Sequence, residues 1–241
     1  MLSEKNKEWL IDGAKAYNVI LTDEQTEKFS QYARLLVEWN EKINLTAITD
    51  PQDIVIKHFL DSLSIAKLIP NETKTLIDVG TGAGFPGIPL KIINENMKVT
   101  LLDSLAKRIN FLNELCSNLM LKGIVAVHGR AEDFGADLNY RESFDYATAR
   151  AVASLPVLLE YCLPLVKVGG IFIAMKGPDG KEELKESEKA LDVLGGNVEE
   201  VKFFTLPYSD IERYLIIVRK CRHTPTNFPR KSGIPTKKPI R

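Results

Sequence analysis

Ten consecutive residues, Asp78-Val79-Gly80-Thr81-Gly82-Ala83-Gly84-Phe85-Pro86-Gly87, hold the most specific chemical signal in the chain. Glycine lets the backbone turn sharply and lie bare against a ligand. The run follows a short apolar stretch with strand character, residues 75–79, and precedes a helical pattern containing Leu90, Ile92 and Ile93. Pro86 suits the first turn of that helix. This is the carboxyl end of a strand, the place where open parallel sheets bind ligands. The spacing Gly82-x-Gly84-x-x-Gly87 also matches a dinucleotide fingerprint. Glycines alone leave a nucleotide-type ligand and a plain tight turn both open.

Two carboxylates narrow the choice. Asp103 ends the second apolar run, nineteen residues after Gly84, where an acid can accept hydrogen bonds from ribose hydroxyls. That suits NAD and S-adenosylmethionine (AdoMet) equally. Asp78 stands two residues before Gly80. Its charge would oppose a pyrophosphate but could help hold the cationic methionine end of AdoMet. AdoMet therefore ranks above NAD. After the third run, Gly129-Arg130-Ala131-Glu132-Asp133-Phe134 offers Ala131 and Glu132 as adenine-side contacts, with a polar connection as the plain alternative.

Reacting groups belong near the end of the fourth run, Ala147-Thr148-Ala149-Arg150-Ala151-Val152. Neither an Asn-Pro-Pro-Tyr motif nor a Pro-Cys pair occurs there, and no His or Lys suggests a general base. His58, His128 and His223 are scattered, and a structural role is expected for His58, because the sequence supplies it no partner. A substrate atom with a free lone pair, such as guanine N7, needs no base, so catalysis would rest on alignment and electrostatics. Arg150 could meet the cofactor carboxylate, an RNA phosphate or a neighbouring acid. The three cysteines, Cys116, Cys162 and Cys221, form no C-x-x-C pair, so neither a metal site nor a disulfide framework is expected. Reduced thiols fit a cytoplasmic compartment.

The surrounding chain must position these groups. Residues 1–70 read as helical: Trp9, Leu10, Ala14 and Tyr17 recur at helical spacing. Thr22 and Gln25 form a capping-box pattern ahead of a stripe of Phe29, Tyr32, Ala33, Leu36 and Val37, and Pro51 opens a further helix. Glu4, Lys5, Lys7 and Glu8 argue against a signal peptide, and no apolar stretch reaches spanning length. From residue 74 short apolar runs at 75–79, 99–102, 124–127, 146–149 and 171–175 alternate with helical patterns, the clearest at 104–121. That alternation predicts an α/β fold with a parallel sheet. Runs at 198–206 and 214–218, separated by a turn, predict an antiparallel pair at the end of the sheet, for seven strands.

With 241 residues there is room for one such core plus an added segment. Net charge is zero, yet Arg219, Lys220, Arg222, Arg230, Lys231, Lys237, Lys238 and Arg241 fall in a stretch with no acid. The remainder then carries eight net negative charges, which favours one polyanion-facing surface. Pro225, Pro229, Pro235 and Pro239 argue for an extended tail without regular helix. Such a tail should supply RNA affinity separably from cofactor binding, with a solubilising, disordered tail as the plain alternative.

The chain as a whole resembles the glucose-inhibited division protein B family, bacterial methyltransferases of guanine N7 in small-subunit (16S) ribosomal RNA. The resemblance rests on Val37-Glu38-Trp39-Asn40-Glu41-Lys42-Ile43-Asn44-Leu45-Thr46, His58-Phe59-Leu60-Asp61-Ser62, Asp78 to Gly87, Leu102-Asp103-Ser104, Arg130-Ala131-Glu132, Thr148-Ala149-Arg150-Ala151-Val152-Ala153 and the tail Phe228-Pro229-Arg230-Lys231-Ser232-Gly233-Ile234-Pro235. It implies a seven-stranded, Rossmann-like AdoMet methyltransferase sheet with an N-terminal helical cap at 1–70, a core at 71–220 and a basic tail at 221–241. It implies cofactor contacts at Gly80, Phe85, Ala131, Glu132 and Arg150, which join Asp78, Gly82, Gly84 and Asp103. On the substrate side Arg150 and Asn44 are candidates; for Asn44 a helix end and turn is the plain reading. The implied partner is 16S ribosomal RNA or the small ribosomal subunit, with no membrane, no metal and a monomeric chain. Three other readings stay open: an AdoMet enzyme acting on a small molecule or protein, a nucleotide-binding oxidoreductase, and a non-catalytic RNA-binding module.

Overall fold

The computed structural model describes residues 2–72 and 74–241. Its strands form one seven-stranded sheet of order β3-β2-β1-β4-β5-β7-β6. The chain clusters into two compact units that interleave in sequence.

The first unit takes residues 1–74, 81–128 and 205–211. Helix α1 (Glu4–Lys15) starts where Ser3 accepts a hydrogen bond from the Asn6 amide. Helix α2 (Asp23–Ile43) starts at the capping box foreseen from the sequence, with Thr22 and Gln25 exchanging hydrogen bonds of 3.0 and 3.2 Å. Its stripe of Phe29, Tyr32, Ala33 and Leu36 is buried. It stops at Asn44, which sits in the left-handed region at φ 49°.

Pro51 does open a helix: α3 (Pro51–Asp53) is capped by Asp50. The coil then widens to a π-helix over Ile54–Leu60 and tightens again as α4 (Asp61–Leu63). Helical periodicity alone does not reveal such widening, which is common at functional sites. A single 3-10 turn, Ala66–Leu68, follows. The unit also holds α5 (Gly87–Ile93), α6 (Ala106–Asn118) and two parallel strands, β2 (Lys98–Asp103) and β3 (Ile124–His128), paired from Val99↔Ile124 to Asp103↔His128.

The second unit takes residues 75–80, 129–204 and 212–241. Strand β1 (Thr75–Val79) runs parallel to β4 (Phe144–Arg150), which runs parallel to β5 (Val166–Lys176). The Asp145 carboxylate accepts from both the amide and the hydroxyl of Thr75 and so pins the start of β1. Strand β5 begins five residues before the apolar run that marks it, because Gly169 and Gly170 sit in a bulge opposite β4 and break the apolar pattern. Helices α7 (Ala131–Ala136), α8 (Leu155–Cys162), α9 (Gly180–Lys185) and α10 (Glu188–Leu194) belong here. The last two strands, β6 (Gly196–Thr205) and β7 (Glu212–Lys220), are neighbours as expected; β7 lies inside, antiparallel to β5, and β6 takes the edge.

The tail differs from its sequence reading. It contains a short helix, α11 (Ile234–Lys237), despite its prolines, because Pro235 sits in the first turn where no amide is needed. Of the eight cations from Arg219 onward, five are ion-paired: Arg219 with Glu199 and Lys220 with Glu142 at the end of β7, then Arg222 with Asp192, Arg230 with Glu160 and Arg241 with Glu186. Lys220 is fully buried, and that burial pushes its pKa down to about 8 against the opposing pull of Glu142. The tail is therefore a docked segment, and only Lys231, Lys237 and Lys238 remain outside these pairs. Among the described residues no helix is long and apolar enough to cross a membrane.

Candidate functional site

In the first unit, Gly82 and Gly84 lie at φ 61° and 100°, conformations in which a side chain is strained. Asp103 holds this loop from the end of β2. Its Oδ2 accepts from the Gly82 amide at 2.9 Å and from Arg108 at 3.1 Å, and its Oδ1 accepts from the Leu105 amide at 2.9 Å. Asp103 is almost wholly buried. A carboxylate offers about four lone-pair positions, so one stays open at Oδ1 for a ligand hydroxyl.

The other side of the loop rests on aromatic rings. Tyr32 donates its hydroxyl to the Ala83 carbonyl at 2.5 Å. The Phe85 ring lies nearly parallel to Tyr32, 5.1 Å away, and to His58, 4.3 Å away. His58 shares a 2.9 Å hydrogen bond with the Thr46 hydroxyl, and the Thr46 amide donates to Asn40 at 2.8 Å. His58 thus has the partner that its sequence neighbourhood does not disclose. The π-helix, the turn after α2 and the glycine loop are one connected structure. Asn44 is exposed at that turn.

In the second unit, Asp78 is fully buried at the end of β1 and Gly80 follows it at φ 70°. A Cβ on Gly80 would come within 2.6 Å of a Val152 methyl, so this glycine lies against the loop that follows β4. Arg150 is the last residue of β4, half-buried. Ala131 and Glu132 open α7 and are both buried. Glu132 Oε1 accepts from the Gly233 amide at 2.9 Å, a contact with the tail that the sequence does not signal.

Two of the three thiols, Cys116 and Cys162, are held away from the nucleophilic form. Burial pushes Cys116 up to about 12, and burial together with the charge of Asp78 pushes Cys162 well above the thiol range. Neither supplies thiolate at neutral pH. Among the described residues no group of three His, Cys, Asp or Glu side chains could hold a metal ion. Gly80, Gly82 and Gly84 all take positive φ, and Asp103 and Glu132 are buried carboxylates with acceptor capacity to spare.

Residues 25–213 match the family model for GidB, rRNA small subunit methyltransferase G. A relative from Acetivibrio thermocellus, a ribosomal RNA small subunit methyltransferase G, is 57% identical over 98% of this chain and 97% of its own. Another of that name, from Alkaliphilus metalliredigens, is 53% identical over 98% of this chain and all of its own. Among solved structures, M. jannaschii TYW2 in complex with AdoMet aligns with a TM-score of 0.52 at 14% identity, over 66% of this chain and 76% of that one. P. horikoshii TYW2 in complex with MeSAdo aligns with 0.53 at 14% identity, over 66% and 61%. At such identity these two show the fold alone.

Proposed function

The chain belongs to the rRNA small subunit methyltransferase G family, and from that premise we propose that it transfers a methyl group from AdoMet to N7 of a guanine in 16S ribosomal RNA. The observation that carries this reading is near-full-length similarity to relatives named for ribosomal RNA methylation. We assign it to the cytoplasm as a monomer, with residues 1–70 as a cap, 71–220 as the core and 221–241 as the tail.

The site's residues fit AdoMet. Glycines at positive φ turn the chain sharply after β1, and Asp103 holds the Gly82 amide. The buried Asp78 charge suits the cationic methionine end. Asp103 and Glu132 keep acceptor positions for hydroxyl and amino hydrogens. Phe85, braced by Tyr32 and His58, is assigned as an apolar wall. When bound, AdoMet supplies a methyl group activated by its sulfonium charge. Guanine N7 carries its own lone pair, so no side chain has to remove a proton before attack. The chain's part is to hold both partners, orient them and exclude water.

The direct test incubates the protein with labelled AdoMet and 16S ribosomal RNA from a strain lacking the enzyme, then digests the RNA with nuclease. Label in N7-methylguanine is expected. Label only in protein or small metabolites would make it an AdoMet enzyme acting on a protein or small molecule instead.

Arg150 is assigned to the cofactor carboxylate. Arg150→Ala should raise the AdoMet dissociation constant about tenfold, the loss of one charge-assisted bond. Calorimetry checks this, and a change confined to RNA affinity gives Arg150 to the substrate instead. The tail cations outside ion pairs are assigned to RNA phosphates. Replacing Lys231, Lys237 and Lys238 together by alanine should flatten the slope of log affinity against log salt by about 2, at roughly 0.7 per phosphate contact for single strands. An unchanged slope in filter binding removes these three lysines from the RNA site.

A further inference from the structure

The tail does more than carry charge. Its residues 229–236 cross both α7 and α8, gripping each by a different chemistry. On α8 the anchor is Glu160, whose side chain is 1% exposed. Arg230 meets it with Nε at 2.9 and 3.1 Å and Nη2 at 2.6 Å, and the Arg230 amide adds a fourth bond at 2.8 Å. Tyr161, the next residue, shares a 2.9 Å hydrogen bond with Thr236.

On α7 the contacts run along the helix from its start. The Gly233 amide donates to Glu132 and the Ser232 hydroxyl to Asp133. One turn on, a Cβ on Gly135 would lie 2.9 Å from Pro229 and 3.1 Å from Pro164, so α7 can sit this close only because residue 135 is glycine. Arg141, just beyond α7, donates to the carbonyls of Gly135, Thr224, Pro225 and Phe228.

Helix α7 has six residues, too few to hold its own position without tertiary support. Its first two residues, Ala131 and Glu132, are those assigned to the cofactor. We infer that residues 229–236 are a strap that positions helix α7 for AdoMet, with the buried Arg230–Glu160 pair as its anchor and the Gly233–Glu132 bond as its point of action. Arg230, Glu160 and Gly233 are positioning residues in this scheme; none needs to touch the cofactor. It rests on the assignment of Glu132 to the cofactor site.

The test uses the full-length protein carrying Arg230→Met and Glu160→Met together. Removing both charges at similar volume releases the anchor without stranding a buried carboxylate, so the fold should persist. The expected result is an AdoMet dissociation constant raised about tenfold. The KM for AdoMet should rise with kcat unchanged at saturation, and amide exchange should accelerate in 131–136 but not in α6. RNA affinity should stay within about twofold, since Arg230 is engaged with Glu160 already. Wild-type AdoMet affinity and exchange in a folded double variant would overturn the strap. Glu132→Ala run beside it separates the two ideas: wild-type affinity in that variant overturns the assignment of Glu132 instead.

Discussion

Gly82→Val should abolish AdoMet binding, raising the dissociation constant about a hundredfold or more. Residue 82 sits at φ 61°, where a β-branched side chain is strained by roughly 1–2 kcal/mol. The larger effect expected is that the side chain fills the face of the loop assigned to the cofactor. The Gly82 amide is also the donor to Asp103 that fixes the loop to β2, so distortion there carries to the carboxylate assigned to the ribose. The matched control is Gly169→Val. That glycine has φ 86° and no atom within 4 Å of a Cβ, so it carries similar backbone strain in a strand bulge assigned no ligand. Calorimetry with AdoMet on both variants, with thermal melts alongside, checks the prediction. Retained affinity in folded Gly82→Val would take this loop out of the site.

Arg230→Met alone should destabilise the protein by about 3–5 kcal/mol, because it leaves Glu160 charged and almost completely buried. For a chain of this size that corresponds to a melting temperature lower by about 10 °C. Adding Glu160→Met should restore most of the loss, since the stranded charge is gone. Scanning calorimetry on the single and double variants measures both. If the single variant melts with the wild type, Glu160 is hydrated in solution and the pair is no anchor.

Most of the sheet could be read directly. The apolar runs that announce β1 to β4 match their strands within two residues at either end, since buried strands leave short, bounded apolar stretches. The glycine loop, Asp103 and the capping box at Thr22 were legible for the same reason: each is a local device whose residues stand close in sequence. Strand β5 starts ahead of its apolar run because a bulge at Gly169 and Gly170 interrupts the apolar signal. The interior place of β7 could not be read, because strand order depends on which edges meet and not on the run itself.

The site divides along the same line. Residue types and spacing were enough to nominate a nucleotide-type ligand, to prefer AdoMet from Asp78 and to expect no general base. They misjudged the partners. His58 looked solitary because Thr46 and Phe85 lie twelve and twenty-seven residues away. The tail reads as a free basic segment because its acids lie far off in sequence, from Glu199, twenty residues before Arg219, to Glu132, one hundred and one residues before Gly233. Charge counted along a chain cannot reveal which cations are already neutralised across the fold. Backbone conformation and short-range periodicity are properties of neighbours in sequence, and those this sequence determined by itself. Ion pairing, ring stacking and the docking of the tail are properties of neighbours in space, and only the tertiary structure decided them.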